Sequence, residues 1–339
     1  MALPQTFKQA AFKEAGGPLI IEEVPLTPPG PGEILLKVEA CGVCHSDIYA
    51  QSNAMGGGFP LVPGHEIIGR VAAVGGAVSG WQVGDRVGGA WHAGHDGTCK
   101  ACLKGWNQMC ENQVINGITK GGGYAEYCLL RAEAAVRVPD HVDAAKYAPI
   151  LCAGVTVFNS MRHMKIPVGE TVAIQGIGGL GHLAIQYANQ FGYRVVAISR
   201  GSAKEEFAGQ LGAHHYIDTN KEDASDALQK LGGAALIVTT APNASDITPL
   251  MRGLAVVGKL LVLSLPGELS VNTGLMLRYG LSVHSWPSGH ARDSEEAIAF
   301  TELRNVNCMV ETFPLEKANE AFDAMLKGDA RFRAVITMG

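Results

Sequence analysis

The first half of the chain places cysteine and histidine side chains at spacings that suit a metal ion. Cys41 and Cys44 stand in the segment CGVCHSD, His65 follows, and Cys152 lies near the middle of the chain. Thiolate and imidazole are common zinc ligands, and a catalytic zinc takes three protein ligands and keeps one position open for a substrate. Cys41 and Cys44 alone would equally suit a redox pair or two packed thiols. The metal hypothesis therefore requires that ligands from distant segments meet in the fold.

A second group of thiols lies between His92 and Asn116, in a stretch without hydrophobic periodicity. It contains Cys99, Cys102 and Cys110. Closely spaced thiols in a loop are typical of a structural zinc, which takes four protein ligands. Three cysteines leave the fourth ligand to be found among other residue types.

Gly176, Gly178, Gly179, Leu180 and Gly181 belong to a segment, GIGGLG, that matches the dinucleotide-binding pattern G-x-G-x-x-G. It follows the apolar run TVAIQ and precedes a helical segment and a second apolar run, RVVAIS. In this context Gly176 permits the tight turn, Gly178 lets the backbone approach a pyrophosphate, and Gly181 allows helix and strand to pack closely. The start of the helix attracts the phosphate charge. The alternative is a glycine turn with a structural role only.

The end of the run RVVAIS bears on which nicotinamide nucleotide binds. NAD sites have an Asp or Glu near this point, which accepts hydrogen bonds from the adenosine ribose. Here Ser199 and Arg200 stand in its place, and Lys204 follows. A carboxylate would repel a 2′-phosphate, whereas a hydroxyl, a guanidinium and an ammonium suit one. We therefore predict a preference for NADP over NAD, although Arg200 and Lys204 would also be unremarkable as solvated surface charges.

The predicted secondary structure differs before and after Cys152. Before it, short apolar runs separated by Gly and Pro predict a β-rich, barrel-like domain. After it, apolar runs alternate with helical segments, which predicts a parallel sheet covered on both faces. Two amphipathic segments and the run RAVITM then return to the first domain. We predict a catalytic domain of residues 1–152 and 290–339, and a cofactor domain of residues 153–289.

Composition excludes several classes of protein. Hydrophobic residues make up 47% of the 339 residues and charged residues 17%, which argues against intrinsic disorder. The net charge is −5 and no run of Lys or Arg occurs, so a nucleic-acid binder is not expected. No apolar stretch approaches the ~20 residues that span a bilayer, and the N-terminal segment lacks the apolar core of a signal peptide. We expect a cytoplasmic protein with reduced thiols.

Taken together, these segments resemble those of the zinc-dependent medium-chain alcohol dehydrogenases. The resemblance runs through the whole chain in the family's order, in the motifs CGVCHSD, PGHE, the Cys99 lobe, GGGYAEY, CAGVTV and GIGGLG. It implies an α/β protein with a GroES-like β-barrel catalytic domain and a doubly wound Rossmann domain. It also implies an active site in the cleft between the two domains.

The resemblance assigns the residues of the metal site. Cys44, His65 and Cys152 match the ligands of the catalytic zinc, and Glu66 matches a carboxylate that can serve as an alternate ligand. Asp47 matches the carboxylate that orients the zinc histidine. Cys41 matches no ligand position and is expected to be a packed thiol.

Other positions match residues that handle substrate and cofactor. Ser46 matches the hydroxyl that receives the alcohol proton, and Thr156 matches a residue beside the nicotinamide. Trp91 matches a wall of the substrate pocket, and Arg333 a contact to the cofactor pyrophosphate. Tyr49 departs from the family, which often has histidine there to end the proton path. A phenol is a poor base at neutral pH, so Tyr49 either passes a proton by hydrogen bonding or merely lines the channel.

The structural lobe also departs from the family, whose pattern has four cysteines. Asp96 occupies the position of the first. A carboxylate oxygen can bind zinc, so we rank a site of Asp96 with Cys99, Cys102 and Cys110 ahead of one completed by His95. A lobe without metal ranks last.

The expected activity is transfer of hydride between a primary or secondary alcohol and NADP or NAD, in a homodimer or homotetramer. The alternatives are a zinc-free quinone or enone reductase on the same fold, and a nucleotide-binding protein without turnover. The complete ligand set disfavours the first alternative, and retention of Ser46 and Asp47 beside it disfavours the second. The particular alcohol or aldehyde is not encoded in any motif.

Overall fold

The computed structural model describes residues 3–339, which form two compact units. The first unit runs to Val155 and is completed by Ser288–Leu303 and Cys308–Gly339. The second unit consists of Thr156–Pro287 and Arg304–Asn307. These units part after residues 155 and 287, and the domain boundaries at 152 and 290 remain a prediction.

The strands and helices have the following bounds. The strands are β1 Thr6–Phe12, β2 Leu19–Pro25, β3 Glu33–Gly42, β4 Ile67–Val74, β5 Arg86–Gly89, β6 His92–Gly94, β7 Val114–Ile115, β8 Tyr127–Arg131, β9 Val136–Arg137, β10 Thr171–Gln175, β11 Arg194–Ser199, β12 His215–Asp218, β13 Ala234–Thr239, β14 Leu254–Val262, β15 Ser282–His284, β16 Val310–Pro314 and β17 Arg333–Thr337. The α-helices are α1 Ile48–Gln51, α2 Ala144–Tyr147, α3 Ala153–Met164, α4 Gly181–Gln190, α5 Glu205–Gln210, α6 Ala224–Lys230, α7 Ala244–Ile247, α8 Thr273–Tyr279, α9 Ala291–Leu303 and α10 Ala318–Lys327.

The first unit is built around a mostly antiparallel sheet with β3 at its centre. The strand order is β16-β17-β3-β4-β5-β9, and β8 also pairs with β3. Its inward-facing residues are large and apolar, so the faces of the sheet enclose a core. The fully buried members of that core include Ile34, Leu36, Ile67, Val87 and Leu130. This matches the β-rich, barrel-like architecture predicted for the N-terminal third.

The C-terminal strand β17 joins this sheet between β16 and β3. It runs antiparallel to β3, with Val335 opposite Gly42 and Thr337 opposite Ala40. Residues from the two ends of the sequence therefore lie side by side. The pairing brings the start of β17, at Arg333, close to the segment that follows β3.

The second unit is a six-stranded parallel sheet in the order β12-β11-β10-β13-β14-β15. Numbered within the unit, this is 3-2-1-4-5-6, the doubly wound order of a Rossmann fold. The predicted strand TVAIQ is β10 and RVVAIS is β11, with the bounds given above. The strand order reverses between β10 and β13, and ligands of such folds bind beyond the carboxyl ends of the strands at that point. The predicted fold class is confirmed.

Within residues 3–339, no helix has the combination of length and apolar character required to cross a bilayer.

Candidate active site

Four side chains of the first unit converge on one point. Cys44, His65, Glu66 and Cys152 each offer a ligand atom, and these atoms all lie within 4.8 Å of one another. Cys44 follows β3, His65 and Glu66 lead into β4, and Cys152 immediately precedes α3. The sheet thus brings together the residues that the sequence assigned to a catalytic metal. Cys41 is fully buried and lies outside this group.

Asp47 links two of these residues. Its Oδ2 accepts a hydrogen bond of 2.9 Å from the backbone N–H of Cys44, and its Oδ1 lies 3.2 Å from Nδ1 of His65. Both side chains are completely buried. Nδ1 of His65 therefore faces the Asp47 carboxylate, and Nε2 of His65 points away from it. Burial lowers the pKa of His65, but the charges of Asp47 and Cys44 more than offset this and raise it.

The thiols of Cys44 and Cys152 face each other, with their sulfur atoms 3.8 Å apart. Their hydrogen bond lowers the pKa of Cys44 well below its usual range and raises the pKa of Cys152. A cation between the two sulfur atoms would favour loss of their protons.

Glu66 is fully buried and pairs with Arg333 at the start of β17. Nη2 of Arg333 donates to Oε1 of Glu66. Burial raises the pKa of Glu66 to about 7, although the Arg333 charge opposes the shift. Arg333, which the resemblance implies to be a pyrophosphate contact, is thus placed beside the candidate metal ligands. Its Nε has no hydrogen-bond partner within residues 3–339.

The donor set fits a divalent zinc ion. Within the described chain, Nε2 of His65 and Oε2 of Glu66 are buried atoms without hydrogen-bond partners. Such atoms are costly to bury unless something binds them. Two sulfurs and an imidazole nitrogen match the Cys₂His set of catalytic zinc, and the Glu66 oxygen is an alternate donor.

A second cluster lies in the loop between β6 and β7. Asp96, Cys99, Cys102 and Cys110 offer ligand atoms within 4.8 Å of one another. Sγ of Cys110 accepts backbone hydrogen bonds from Asp96 at 3.4 Å and Asn112 at 3.3 Å. Backbone N–H groups that point at a cysteine sulfur are typical of the outer shell of a metal site.

Asp96 and His95 occupy different environments. The Asp96 carboxylate accepts hydrogen bonds from the backbone N–H groups of Cys99 and Thr98, at 2.9 and 2.8 Å, and from the Asn112 side chain at 2.8 Å. These bonds, the one from Cys99 above all, hold its pKa well below the usual range. The ring of His95 instead stacks on His92, with centroids 5.1 Å apart. The loop brings Asp96, and not His95, to the three sulfurs.

The residues expected to handle substrate and proton are close in sequence to members of the first cluster or contact one of them. Ser46 belongs to the 3-10 turn His45–Asp47, directly after Cys44, and Tyr49 lies half-buried in α1. The ring of Trp91 contacts the His65 ring edge to face, with centroids 4.9 Å apart. Thr156 stands in the first turn of α3, the helix that Cys152 precedes.

The glycine turn of the second unit joins β10 to α4. A Cβ on Gly181 would lie 1.8 Å from the carbonyl oxygen of Gly176, so only glycine fits there. A Cβ on Gly178 would meet nothing within 4 Å. Close packing at Gly181 and open space at Gly178 are what a pyrophosphate turn requires. Gly179 and Leu180 complete the turn, and α4 begins at Gly181 with its free N–H groups.

The end of β11 is held by residues of β12 that the sequence did not single out. Tyr216 donates to the carbonyl oxygen of Gly201 at 2.6 Å, and Asp218 accepts from the backbone N–H of Gly201 at 2.7 Å. Lys204 donates to the carbonyl oxygen of Ile177, inside the glycine turn, at 2.9 Å. Arg200 is exposed. The role of Tyr216 and Asp218 follows only from the pairing of β11 with β12, because the two residues are distant in sequence from the glycine turn.

Comparison with known proteins agrees with this fold and site. The family model described as an alcohol dehydrogenase GroES-like domain matches residues 30–140, and that of a zinc-binding dehydrogenase matches residues 179–302. The alcohol dehydrogenase patD of Penicillium expansum is 69% identical over 99% of this chain and 98% of its own length. An alcohol dehydrogenase of Geobacillus stearothermophilus is 37% identical over 97% of this chain and 99% of its own length.

Solved structures show the same architecture. Acetophenone reductase from Geotrichum candidum in complex with NAD has a TM-score of 0.86 and 28% identity, covering 99% of this chain and 98% of that one. A cobalt- and zinc-bound alcohol dehydrogenase from Pyrobaculum aerophilum has a TM-score of 0.87 and 27% identity. The match covers 98% of this chain and 99% of that one.

A Rossmann sheet joined to a GroES-like sheet with a buried thiolate–imidazole cluster defines an alcohol oxidoreductase. The chain belongs to the zinc-dependent medium-chain alcohol dehydrogenase family, whose members bind zinc and a nicotinamide nucleotide.

The Glu66–Arg333 pair leads to a prediction about stability. Arg333→Met would leave the buried Glu66 carboxylate without its counter-charge, and breaking a buried pair from one side costs about 3–5 kcal/mol. We expect the melting temperature to fall by on the order of 5–10 °C. The control is Lys8→Met, which breaks the exposed 2.9 Å pair between Lys8 and Glu316 and should change the melting temperature little. Equal shifts in the two variants would contradict the importance of the buried pair.

Proposed function

We propose that this protein is a zinc-dependent alcohol dehydrogenase or aldehyde reductase that transfers hydride between a primary or secondary alcohol and NADP. One observation carries the proposal: the ligand atoms of Cys44, His65 and Cys152 lie within 4.8 Å of one another in a buried cluster. A zinc-free quinone or enone reductase has no use for such a set. A protein without turnover would have no need to keep Ser46 and Asp47 beside it.

In this proposal Cys44, His65 and Cys152 hold the zinc, and Glu66 is the alternate ligand. When bound, zinc acts as a Lewis acid that lowers the pKa of an alcohol and polarises a carbonyl group. Asp47 keeps the His65 ring in the tautomer that presents Nε2, because its Oδ1 lies 3.2 Å from Nδ1.

The chain supplies the proton path and the walls of the substrate site. The Ser46 hydroxyl, two residues after Cys44, receives the proton of the alcohol and passes it on. Tyr49 lines the path in α1, and water completes the transfer to solvent. Trp91, packed edge to face on His65, forms a wall that positions the carbon bearing the hydride. The protein provides no nucleophile, so positioning is its main contribution to the rate.

The second unit binds the nucleotide. The glycine turn from Gly176 to Gly181 and the start of α4 take the pyrophosphate, and Thr156 lies beside the nicotinamide. Arg333 keeps an unpartnered Nε for the pyrophosphate contact that the resemblance implies. Ser199, Arg200 and Lys204 take the adenosine 2′-phosphate, since no carboxylate occupies the end of β11. Asp218, the acid at the neighbouring strand end, is engaged by the backbone N–H of Gly201 at 2.7 Å.

The Cys99 lobe holds a second, structural zinc through Asp96, Cys99, Cys102 and Cys110. The convergence of these four residues supports it. We further propose a cytoplasmic homodimer or homotetramer. The second unit exposes large apolar side chains on and near β14, among them Val256, Leu265 and Leu277, and β15 leaves one edge of the parallel sheet unpaired.

Zinc content and turnover test the catalytic cluster through a matched pair of thiols. Cys44→Ala should lower the zinc content from two ions per chain to one and abolish nearly all alcohol oxidation, because it removes a ligand. Cys41→Ala also deletes a buried thiol, but one outside the cluster, and should keep both ions and most of the activity. Metal analysis and nicotinamide absorbance provide the readouts. Full activity in the Cys44→Ala protein would disprove the assignment.

The proton path predicts unequal effects of two hydroxyl deletions. Ser46→Ala should slow alcohol oxidation by roughly 10²–10⁴-fold, the usual contribution of a group that transfers a proton. Tyr49→Phe should slow it far less, because water can replace the phenol. Single-turnover rates of the two variants make the comparison. Equal losses would make Tyr49 an obligatory member of the path.

The cofactor preference predicts how kcat/KM depends on Arg200. The unmodified enzyme should have a higher kcat/KM with NADP than with NAD. Arg200→Ala should lower the NADP value about tenfold or more and leave the NAD value nearly unchanged, because a charge-assisted hydrogen bond to the phosphate is lost. Arg278→Ala, which removes another exposed arginine of the second unit, is the control and should change neither. A clear preference of the unmodified enzyme for NAD would refute the assignment.

A further inference from the structure

The motif GGGYAEY carries a buried tyrosine that none of the roles above explains. Tyr124 is completely buried, and its hydroxyl donates a hydrogen bond of 2.9 Å to Oδ2 of Asp47. A phenol is both donor and acceptor, but a carboxylate is only an acceptor, so the proton lies on Tyr124. The bond joins a residue next to β8 to the carboxylate that contacts His65.

Asp47 touches two of the proposed zinc ligands. Through Oδ2 it accepts from the backbone N–H of Cys44 at 2.9 Å, and its Oδ1 lies 3.2 Å from Nδ1 of His65. The orientation of its carboxylate therefore sets both the turn that carries Cys44 and the plane of the His65 ring. Whatever fixes that carboxylate fixes two ligands at once.

Tyr124 supplies the remaining constraint on the carboxylate. Asp47 is completely buried, so bulk water does not reach its carboxylate. Its Oδ2 receives two hydrogen bonds, one from the Cys44 backbone and one from the Tyr124 hydroxyl. A hydrogen bond to an ionised group is stronger than one between two neutral groups. Without the phenol, the carboxylate can turn about its Cβ–Cγ bond and carry the His65 contact with it.

The packing around the phenol ring confirms that the position is built for a large side chain. A Cβ on Gly64 would lie 2.5 Å from Cδ1 of Tyr124, so Gly64, directly before His65, leaves the space that the ring fills. The two segments are also tied by their backbones: Gly123 N–H donates to the Gly64 carbonyl at 3.0 Å, and Tyr124 N–H to the Pro63 carbonyl at 3.1 Å. The segments PGHE and GGGYAEY thus fold against each other as one support for His65.

We propose that Tyr124 is a positioning residue for the catalytic zinc, which it holds in place through Asp47 and the two ligands, Cys44 and His65. The inference rests on the proposed function insofar as Cys44 and His65 bind zinc. Tyr124 touches neither the metal nor the substrate. Its loss should therefore loosen the metal site rather than remove a reacting group.

The test compares the rates at which the holoenzyme releases zinc to an excess of a chelating dye. Tyr124→Phe deletes only the hydroxyl, and Tyr127→Phe, which deletes a hydroxyl from the half-buried ring packed on Phe7, is the matched control. Partners in the outer shell of a metal site typically contribute about 10–100-fold to metal affinity. We expect Tyr124→Phe to release one of two zinc ions about tenfold faster and Tyr127→Phe to match the unmodified protein.

The second zinc ion is an internal reference. The zinc ion in the Cys99 lobe should be released at the same rate in all variants. Because the Cys44→Ala protein should hold only this ion, it identifies the kinetic phase of release that belongs to the Cys99 lobe. If the unmodified protein and the Cys44→Ala protein release the same number of zinc ions, the proposed function is wrong. If the catalytic zinc is present and leaves Tyr124→Phe at the unmodified rate, the role of Tyr124 fails while the proposed function stands.

Two further measurements separate positioning from general stability. With cobalt in place of zinc, the ligand-field absorption bands should shift in Tyr124→Phe and stay unchanged in Tyr127→Phe, because only the former alters the ligand geometry. In an Asp47→Ala background, where the Tyr124 hydroxyl has no acceptor at this position, Tyr124→Phe should add no further acceleration of release. Unshifted bands, or an equal acceleration with and without Asp47, would overturn the proposal.

Discussion

The structure of the first unit depends on balancing charge in a small buried volume. Asp47, Glu66 and Cys44, all buried, and the partly buried Cys152 bring several potential negative charges together. The cationic Arg333 contacts only Glu66 among them. Unpaired charge in such surroundings is prohibitively costly. In the proposed function, a divalent cation held by the thiols and His65 would offset this negative charge.

The fold meets this demand by supplying most of these charged groups from the ends of three strands. β3 leads to Cys44 and Asp47, the segment before β4 supplies His65 and Glu66, and β17 starts with Arg333. These strands are neighbours in one sheet, so hydrogen bonding between them fixes the spacing of the charges. In the second unit, the proposed pyrophosphate site instead offers backbone N–H groups at the start of α4.

Local patterns were enough to predict much of this molecule. The runs TVAIQ and RVVAIS became β10 and β11 because buried parallel strands are continuous apolar segments. The thiol and imidazole motifs identified both clusters. The pairing of Arg333 with Glu66 could not be predicted, since it arises from the register of β17 against β3. The hydrogen bond from Tyr124 to Asp47 could not be predicted either, because the sequence around Tyr124 does not indicate which distant residue its hydroxyl contacts.

The pairing of Glu66 with Arg333 also has a consequence for the time course of synthesis. The two residues are separated by 267 positions, so at about 5–20 residues per second the ribosome takes roughly 13–50 seconds to supply the counter-charge after it has made the acid. During that interval the second unit, which is encoded between them, can be completed and fold. Until β17 is made, residues 40–42 of β3 lack the strand that will pair with them, although β8 already pairs with residues 33–37. The central sheet of the first unit is therefore completed long after β3 itself has been synthesised.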